Sequence, residues 1–262
     1  MEWNQLLNEE VKSRLKRKKA NLIILDPPFG NLNKENTNTQ HPYLNEQIDI
    51  KELCKSVRKI VSKKGVVIVF SRGMQSVEFI QNLKNWYRYS LVWDKCKITG
   101  FLDSAKKPLV RHEDILVFSP SPVGDFPYNP YMSIGSVKYQ PNLPKTTPNY
   151  RDSVYGKRAD GNRDDTDKRF PQSILSIGFN NQEQIFPTQK PYDLIYRLVY
   201  MYSNPGDVVV DPFVGCGNTT VACEELGRKP ICSDKDPKYL EMTRLTKQRN
   251  KSEKLDYSKI EI

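Results

Sequence analysis

Leu22-Ile23-Ile24-Leu25-Asp26-Pro27-Pro28-Phe29-Gly30 is the stretch from which the rest of the chain can be read. Four consecutive aliphatics suit a strand buried on both faces, the pattern of a parallel sheet. Asp26 then stands at the carboxyl end of that strand, where open α/β sheets hold their ligands. Two successive prolines fix φ and carry no N–H, so the backbone after Asp26 is stiff and its carbonyls can accept. A carboxylate and a rigid carbonyl together accept both N–H bonds of an amino group on a flat ring. That turns the nitrogen lone pair outward, while Phe29 offers a face for stacking. The plainer alternative is a strand stop in which Asp and Pro serve as turn residues.

On either side of this stretch, helical periodicity alternates with apolar runs. Residues 3–19 carry Trp3, Leu6, Leu7, Val11 and Leu15 at helical spacing, and the segment ends in Lys16-Arg17-Lys18-Lys19. Those cations suit either the negative end of a helix dipole or a phosphate contact. Residues 31–46 are polar, Asn-rich and aperiodic, and a loop of that length beside a site is more often functional than decorative. The pattern then predicts a helix over 48–61, a strand Val66–Phe70 opened by Gly65, and a helix over 74–85. Strands Tyr89–Trp93 and Asp114–Phe118 follow. Such alternation indicates βαβ units and a largely parallel sheet.

From Ser119 to Gln184 the texture changes, with repeated prolines and with Arg151, Arg158, Arg163, Lys168 and Arg169 among tyrosines. Basic side chains interleaved with aromatics suit nucleic acid, through phosphate contacts and stacking. Asp152, Asp160, Asp164, Asp165 and Asp167 offset part of that charge, so a plain surface insertion is the competing reading. Over the whole chain, 41 Lys+Arg against 31 Asp+Glu leave +10, a balance that favours a polyanionic partner. The five cysteines form no C-x-x-C pair and only two histidines accompany them, which argues against a zinc site and for free thiols. No apolar h-region opens the chain and no run approaches the roughly 18 apolar residues of a membrane span, so an intracellular protein is expected.

Residues 208–234 form a second unit of strand, Gly-rich turn, helix, strand and acid. Val208-Val209-Val210 leads into Asp211-Pro212-Phe213-Val214-Gly215-Cys216-Gly217-Asn218-Thr219-Thr220, a helix follows to Leu226, and Pro230–Ser233 ends at Asp234. The glycines allow close approach to the backbone, and the helix behind them offers free N–H groups. Asp234 is placed to accept from ribose hydroxyls. The loop is not G-x-G-x-x-G and lacks the Lys of a P-loop, and Asp211 puts negative charge where a pyrophosphate would lie. A nucleoside carrying a positive group, such as S-adenosylmethionine, fits better than NAD or ATP. The competing reading is a glycine turn that packs a helix on a sheet. A helix beginning near Pro191 precedes this unit, and a basic helix over 237–250 follows it.

Taken with Trp93-x-Lys95, Arg111-His112-Glu113, Pro187-Thr188-Gln189-Lys190-Pro191 and Gly227-Arg228, the sequence resembles the β-class amino-methyltransferases of DNA, especially the phage-type N6-adenine enzymes. The order is theirs: D-P-P-[YF] first, a target-recognition region in the middle, the cofactor loop last. The match runs over residues 21–245. The resemblance implies an α/β fold, a permuted Rossmann-like S-adenosylmethionine-dependent methyltransferase with a mixed, mostly parallel sheet and an inserted target-recognition region. Residues 1–119 would form the catalytic half, 120–184 the target-recognition insertion and 185–262 the cofactor-binding half. The strands ending at Asp26 and Asp211 would lie side by side. Asp26 and the Pro27 carbonyl would hold the adenine amine, with Pro28 stiffening the turn and Phe29 stacking on the base. Phe213, Gly215, Gly217, Asn218, Thr219 and Asp234, with Asp211, would cradle the cofactor, and Thr188, Lys190 and Pro191 would lie near its methionine end. Double-stranded DNA is the implied partner, no membrane is, and a homodimer or a partner subunit stays open. The expected setting is the cytoplasm of a bacterium, with a phage gene as the other source.

The resemblance has departures. Phe29 stands where Tyr is commoner, Phe186 replaces a His, and residues 1–20 lack the Gly-Asp pair many relatives carry, so residues 254–262 would have to complete the sheet or leave the cofactor site more open. Two other functions fit the same residues: a cytosine N4 enzyme, although Asp rather than Ser at position 26 leans toward adenine, and a non-catalytic DNA-binding subunit. Residues 31–46, directly after Phe29, are expected to close over an extruded base.

Overall fold

The computed structural model describes residues 11–16, 18–29, 46–134, 168–179, 188–236 and 238–252. The chain divides into two compact units, one of residues 1–129 with 172–255 and one of residues 130–171 with 256–262.

The first unit is built on β1 (Ala20–Leu25), whose Leu22 to Leu25 are almost wholly buried, as four aliphatics covered on both faces must be. Helix α1 (Lys12–Leu15) precedes it and is all that is described of the helix expected over 3–19. Helix α2 (Ile50–Ile60) begins at Asp49, whose carboxylate accepts from the Glu52 N–H at 3.0 Å and so satisfies one of the donors a helix start leaves open. It buries Ile50, Leu53, Cys54, Val57 and Ile60, one apolar stripe at helical spacing.

Strand β2 (Val61–Ser71) starts directly after α2, earlier than the apolar run Val66–Phe70 suggests. Its pairing with β1 shifts between Ala20↔Val61 and Leu22↔Val66, so Ser62–Gly65 form a bulge. Gly65 belongs there because a Cβ would lie 2.9 Å from the Ala20 carbonyl oxygen and 2.7 Å from Val61 Cγ2. Helix α3 (Met74–Asn82) leads through a short 3-10 turn to β3 (Tyr87–Thr99) and β4 (Val110–Phe118). Both strands are longer than expected and join in a hairpin that extends past the sheet.

In the second unit, β5 (Ser133–Ile134) and β6 (Lys168–Arg169) pair antiparallel. Back in the first unit, β7 (Ile174–Ser176) is followed by α4 (Tyr192–Tyr202), β8 (Val208–Asp211), α5 (Asn218–Glu225), β9 (Lys229–Cys232) and α6 (Tyr239–Ser252). Pro191 sits at the cap before α4, with ψ near 141°, rather than at its first helical position.

The seven-stranded sheet runs β7-β3-β4-β2-β1-β8-β9. Only β4 opposes the common direction, because it pairs antiparallel with both β2 and β3 while every other pairing in the sheet is parallel. The chain leaves β1 toward β2 on one side and returns to β8 on the other, so the gap between β1 and β8 is a topological switch point. Among the described residues no helix is long and apolar enough to cross a membrane.

Candidate active site

The register Leu22↔Val209 and Ile23↔Val210 sets β1 and β8 side by side with their carboxyl ends at the same edge. Asp26 is the first residue beyond β1 and Asp211 the last of β8, so the two acids open onto one crevice. A cleft of about 1030 Å³, open mouth included, fills it and is lined by residues of both motifs.

On the β1 side, Phe29 lines the cleft beside Asp26, Pro27 and Pro28. The Pro28 carbonyl accepts from Gln75 Nε2 at 3.1 Å, which pins the turn to α3. The Pro27 carbonyl has no hydrogen-bond partner among the described residues, leaving an acceptor beside the carboxylate. Arg72, just past β2, lies 5.4 Å from the Phe29 ring centroid.

Asp26 is met by Lys190, whose Nζ lies 2.7 Å from both carboxylate oxygens. The Lys190 ammonium is 3.4 Å from Glu113 Oε2 and sits over the Phe70, Phe29 and Trp93 rings at 5.1, 5.9 and 5.9 Å. Burial works against a charged lysine, but the Asp26 and Glu113 carboxylates outweigh it and keep Lys190 protonated. The sequence reading put Lys190 at the methionine end of a cofactor; the structure puts its amine on Asp26, because a buried ammonium requires a carboxylate.

On the β8 side, Asp211 accepts from the Phe213 N–H at 2.9 Å and from the Thr219 hydroxyl at 2.5 Å. Burial pushes its carboxyl up to about 7, with those two hydrogen bonds opposing. Asp234 accepts from the N–H groups of Gly215 and Asp236 at 2.8 and 2.9 Å, and burial raises it to about 6 against those bonds. Asn218 donates to the Lys190 carbonyl at 2.8 Å, while its own buried Oδ1 has no hydrogen-bond partner among the described residues.

Of the sequence-derived cofactor residues, Thr188, Lys190, Asp211, Phe213, Gly215, Asn218, Thr219 and Asp234 line the cleft, and Pro191 and Gly217 do not. Gly217 has φ near 88°, and a Cβ there would lie 2.2 Å from Thr243 Oγ1. The space a side chain would need there is taken by Thr243 of α6. Of the basic residues assigned to DNA, Arg151, Arg158 and Arg163 lie outside the described residues, and Lys168 and Arg169 form β6 of the second unit. Residues 31–45 and 254–262 also lie outside.

Arg72, Gln75 and Glu113 were not singled out for the site. The signal for the first two was present: in a parallel sheet the end of the strand beside a site strand also lines the crevice, and Arg72 directly follows β2. Glu113 arrives only because β4 runs backwards and brings its first residues to the same edge.

A DNA methylase family model matches residues 20–245 of the chain. The type II methyltransferase M.HpaI of Haemophilus parainfluenzae is 26% identical over 259 residues, covering 93% of this chain and 74% of that protein. M1.MboII of Moraxella bovis, also a type II methyltransferase, is 27% identical over 247 residues, covering 87% and 88%. Among solved structures, an M1.HpyAVI–SAM complex superposes with a TM-score of 0.56 at 18% identity, covering 91% of this chain and 95% of that one. The cytosine-N4-specific PvuII DNA methyltransferase gives 0.57 at 17% identity, covering 88% and 82%. At such identities the structural likeness concerns the fold, the Rossmann-like mixed sheet expected from the sequence.

Proposed function

The chain belongs to the N6/N4 DNA methylase family, and we propose that it transfers a methyl group from S-adenosylmethionine to the exocyclic N6 of an adenine turned out of double-stranded DNA. The observation that carries the reading is the meeting of the Asp26 and Asp211 strand ends in one cleft lined by both motifs.

The cofactor fits the residues present. Asn218 Oδ1 is a buried acceptor without a partner among the described residues, Asp211 and Asp234 supply carboxylates for an ammonium and for ribose hydroxyls, and Phe213 and Ile195 offer apolar faces. When bound, S-adenosylmethionine supplies an electrophilic methyl carbon on a sulfonium. Asp26 and the Pro27 carbonyl accept the two N–H bonds of the neutral base amine, aiming its lone pair at that carbon without prior deprotonation. Asp26 continues to accept from the nitrogen, which becomes acidic as its bond to the methyl carbon forms and the carbon–sulfur bond breaks. The methylated nitrogen then sheds one proton to solvent, and S-adenosylhomocysteine would be the departing product. Phe29 stacks on the extruded ring. Orientation and hydrogen bonding to a changing nitrogen supply the rate, and unstacking the base costs a few kcal/mol.

Residues 120–184 serve target recognition in this reading, with Arg151, Arg158, Arg163, Lys168 and Arg169 on phosphates, and 1–119 and 185–262 are the catalytic and cofactor halves. Incubation of the purified chain with duplex DNA and labelled S-adenosylmethionine, followed by nucleoside analysis, tests this. N6-methyladenine is the expected product. N4-methylcytosine would move the chain to the cytosine branch, and cofactor binding without transfer would favour a subunit that needs a partner.

A further inference from the structure

Four charged side chains run inward from the crevice floor. Asp26 is 2.7 Å from Lys190, Lys190 is 3.4 Å from Glu113 Oε2, and Glu113 Oε1 is 3.7 Å from Lys95. The first link is a hydrogen-bonded ion pair through both Asp26 oxygens. The second is looser: Glu113 Oε2 is buried, has no well-formed hydrogen bond among the described residues, and faces the ammonium at 3.4 Å. A buried carboxylate oxygen whose nearest donor stands at 3.4 Å is poorly satisfied and marks a place where a closer donor belongs. The Phe70, Phe29 and Trp93 rings surround the ammonium at 5.1 to 5.9 Å, so the two carboxylates are the polar partners it has to choose between.

We propose that Glu113 is a positioning residue with a double role. It holds the Lys190 ammonium against Asp26 in the free protein, and it takes that ammonium over when the target amine claims the Asp26 carboxylate. The inference rests on the assignment of Asp26 to the target amine. In the free protein both Asp26 oxygens are engaged by Lys190. An incoming N–H must share or displace that contact, and a displaced ammonium cannot be left unpaired in a site where its side chain is only 7% exposed. A small shift toward Glu113 Oε2 makes a full hydrogen bond there and keeps one positive charge beside two carboxylates. Lys95 on the far side of Glu113 balances the charge of the second acid. Three elements converge on this point, because Asp26 follows β1, Glu113 lies near the start of β4, and Lys190 precedes α4.

The charged groups facing Asp26 are Lys190, Glu113, Arg72 from the end of β2 and Asp211 from β8. Burial and the Glu113 charge raise the Asp26 carboxyl, and Lys190 opposes them. Removing Glu113 and removing Lys190 therefore move it in opposite directions.

The test compares Glu113→Gln, Glu113→Asp, Lys190→Met and Asp26→Ala with the wild-type enzyme, measuring kcat against pH at saturating DNA and cofactor, cofactor affinity by calorimetry, and thermal unfolding. Glu113→Gln should lower kcat about 10- to 100-fold, as expected when a reacting group is misplaced by a fraction of an ångström to an ångström, with cofactor affinity within about twofold of wild type. Its acid limb should shift to lower pH, and that of Lys190→Met to higher pH. Glu113→Asp, which keeps the charge, should recover part of the rate even if both Glu113 variants melt early. A Glu113→Gln enzyme with wild-type kcat and an unmoved acid limb overturns the proposal. So does an acid limb that shifts the same way in Glu113→Gln and Lys190→Met. If Asp26→Ala abolishes transfer and Glu113→Gln leaves it untouched, the function stands and this inference falls. If Asp26→Ala transfers normally, the site assignment beneath it falls as well.

Discussion

Two cations, Arg72 at 5.4 Å and Lys190 at 5.9 Å, approach the Phe29 ring from within the crevice. Each such contact contributes about 0.5–2 kcal/mol, and base-on-aromatic stacking about 1–3 kcal/mol, so an extruded base competes well for that ring. Phe29→Tyr should keep activity, whereas Phe29→Ala should lose about ten- to a hundredfold in kcat/KM on duplex DNA; an alanine variant at full rate removes the stacking role. The acids on the other side of the cleft give a pH signature. Asp211 and Asp234 titrate near about 7 and 6 in the folded chain, raised first by burial. Each must ionise to meet a cation or accept from a ribose, so cofactor affinity measured by calorimetry should rise through that range and level off above it. Folding runs the other way. Both groups return to the ordinary carboxylate range when unfolded, so the stability they contribute at low pH is lost as pH rises through about 6 and 7. The cofactor-induced rise in melting temperature should accordingly be larger at about pH 8 than at about pH 5, and a constant difference would remove both acids from the binding site.

Helix α6 reaches the cofactor loop through two threonines: Thr246 donates to the Cys216 carbonyl at 2.7 Å, and Thr243 occupies the space a Gly217 side chain would need. Gly217→Ala combines that overlap with a positive φ, and should cost about 2–4 kcal/mol in denaturant unfolding. A variant of unchanged midpoint would mean that α6 does not hold the loop. The segment 31–45 lies outside the described residues, but its following residue Glu46 pairs with Lys235 at 2.5 Å, one position past Asp234. That contact ties the foot of the expected lid to the cofactor side of the crevice. Replacing residues 33–40 by a Gly-Ser linker should lower turnover on DNA and leave cofactor affinity unchanged; normal turnover would make the segment an idle loop.

Across the whole molecule, the excess of +10 predicts an association dominated by phosphate neutralisation. With about five phosphates engaged, the log–log dependence of affinity on salt should have a slope of roughly −4 to −5 for duplex DNA. Neutralising Arg158 and Arg163 should flatten it, and an affinity indifferent to salt would take residues 120–184 off the DNA. Binding of S-adenosylmethionine to the folded state alone stabilises it by about 2.7 kcal/mol at a hundredfold excess over Kd, which a thermal melt detects readily. No shift at that excess would separate this chain from its catalytic relatives.

The central strand and its chemistry were legible in the residues alone. Leu22–Leu25 read as a strand covered on both faces, and a carboxylate and two prolines at its end suited the ligand edge of a parallel sheet as well as a plain strand stop. The Asp211 and Asp234 unit was legible for the same reason, since strand, glycine turn and helix are local patterns set by neighbours in the chain. The hairpin of β3 and β4 was legible as two strands but not as an antiparallel insertion, because apolar runs carry no direction. Direction, in turn, decides where Glu113 goes, and only the folded sheet brings it to Lys190 and both to Asp26. Gly217 shows the complementary limit: a glycine beside a site reads as room for a ligand, and the space it leaves belongs to Thr243 on a helix packed from beyond the loop. Periodicity and turn chemistry are short-range and are written in the chain; charge pairing and steric exclusion act across space, and tertiary packing alone selects the partners.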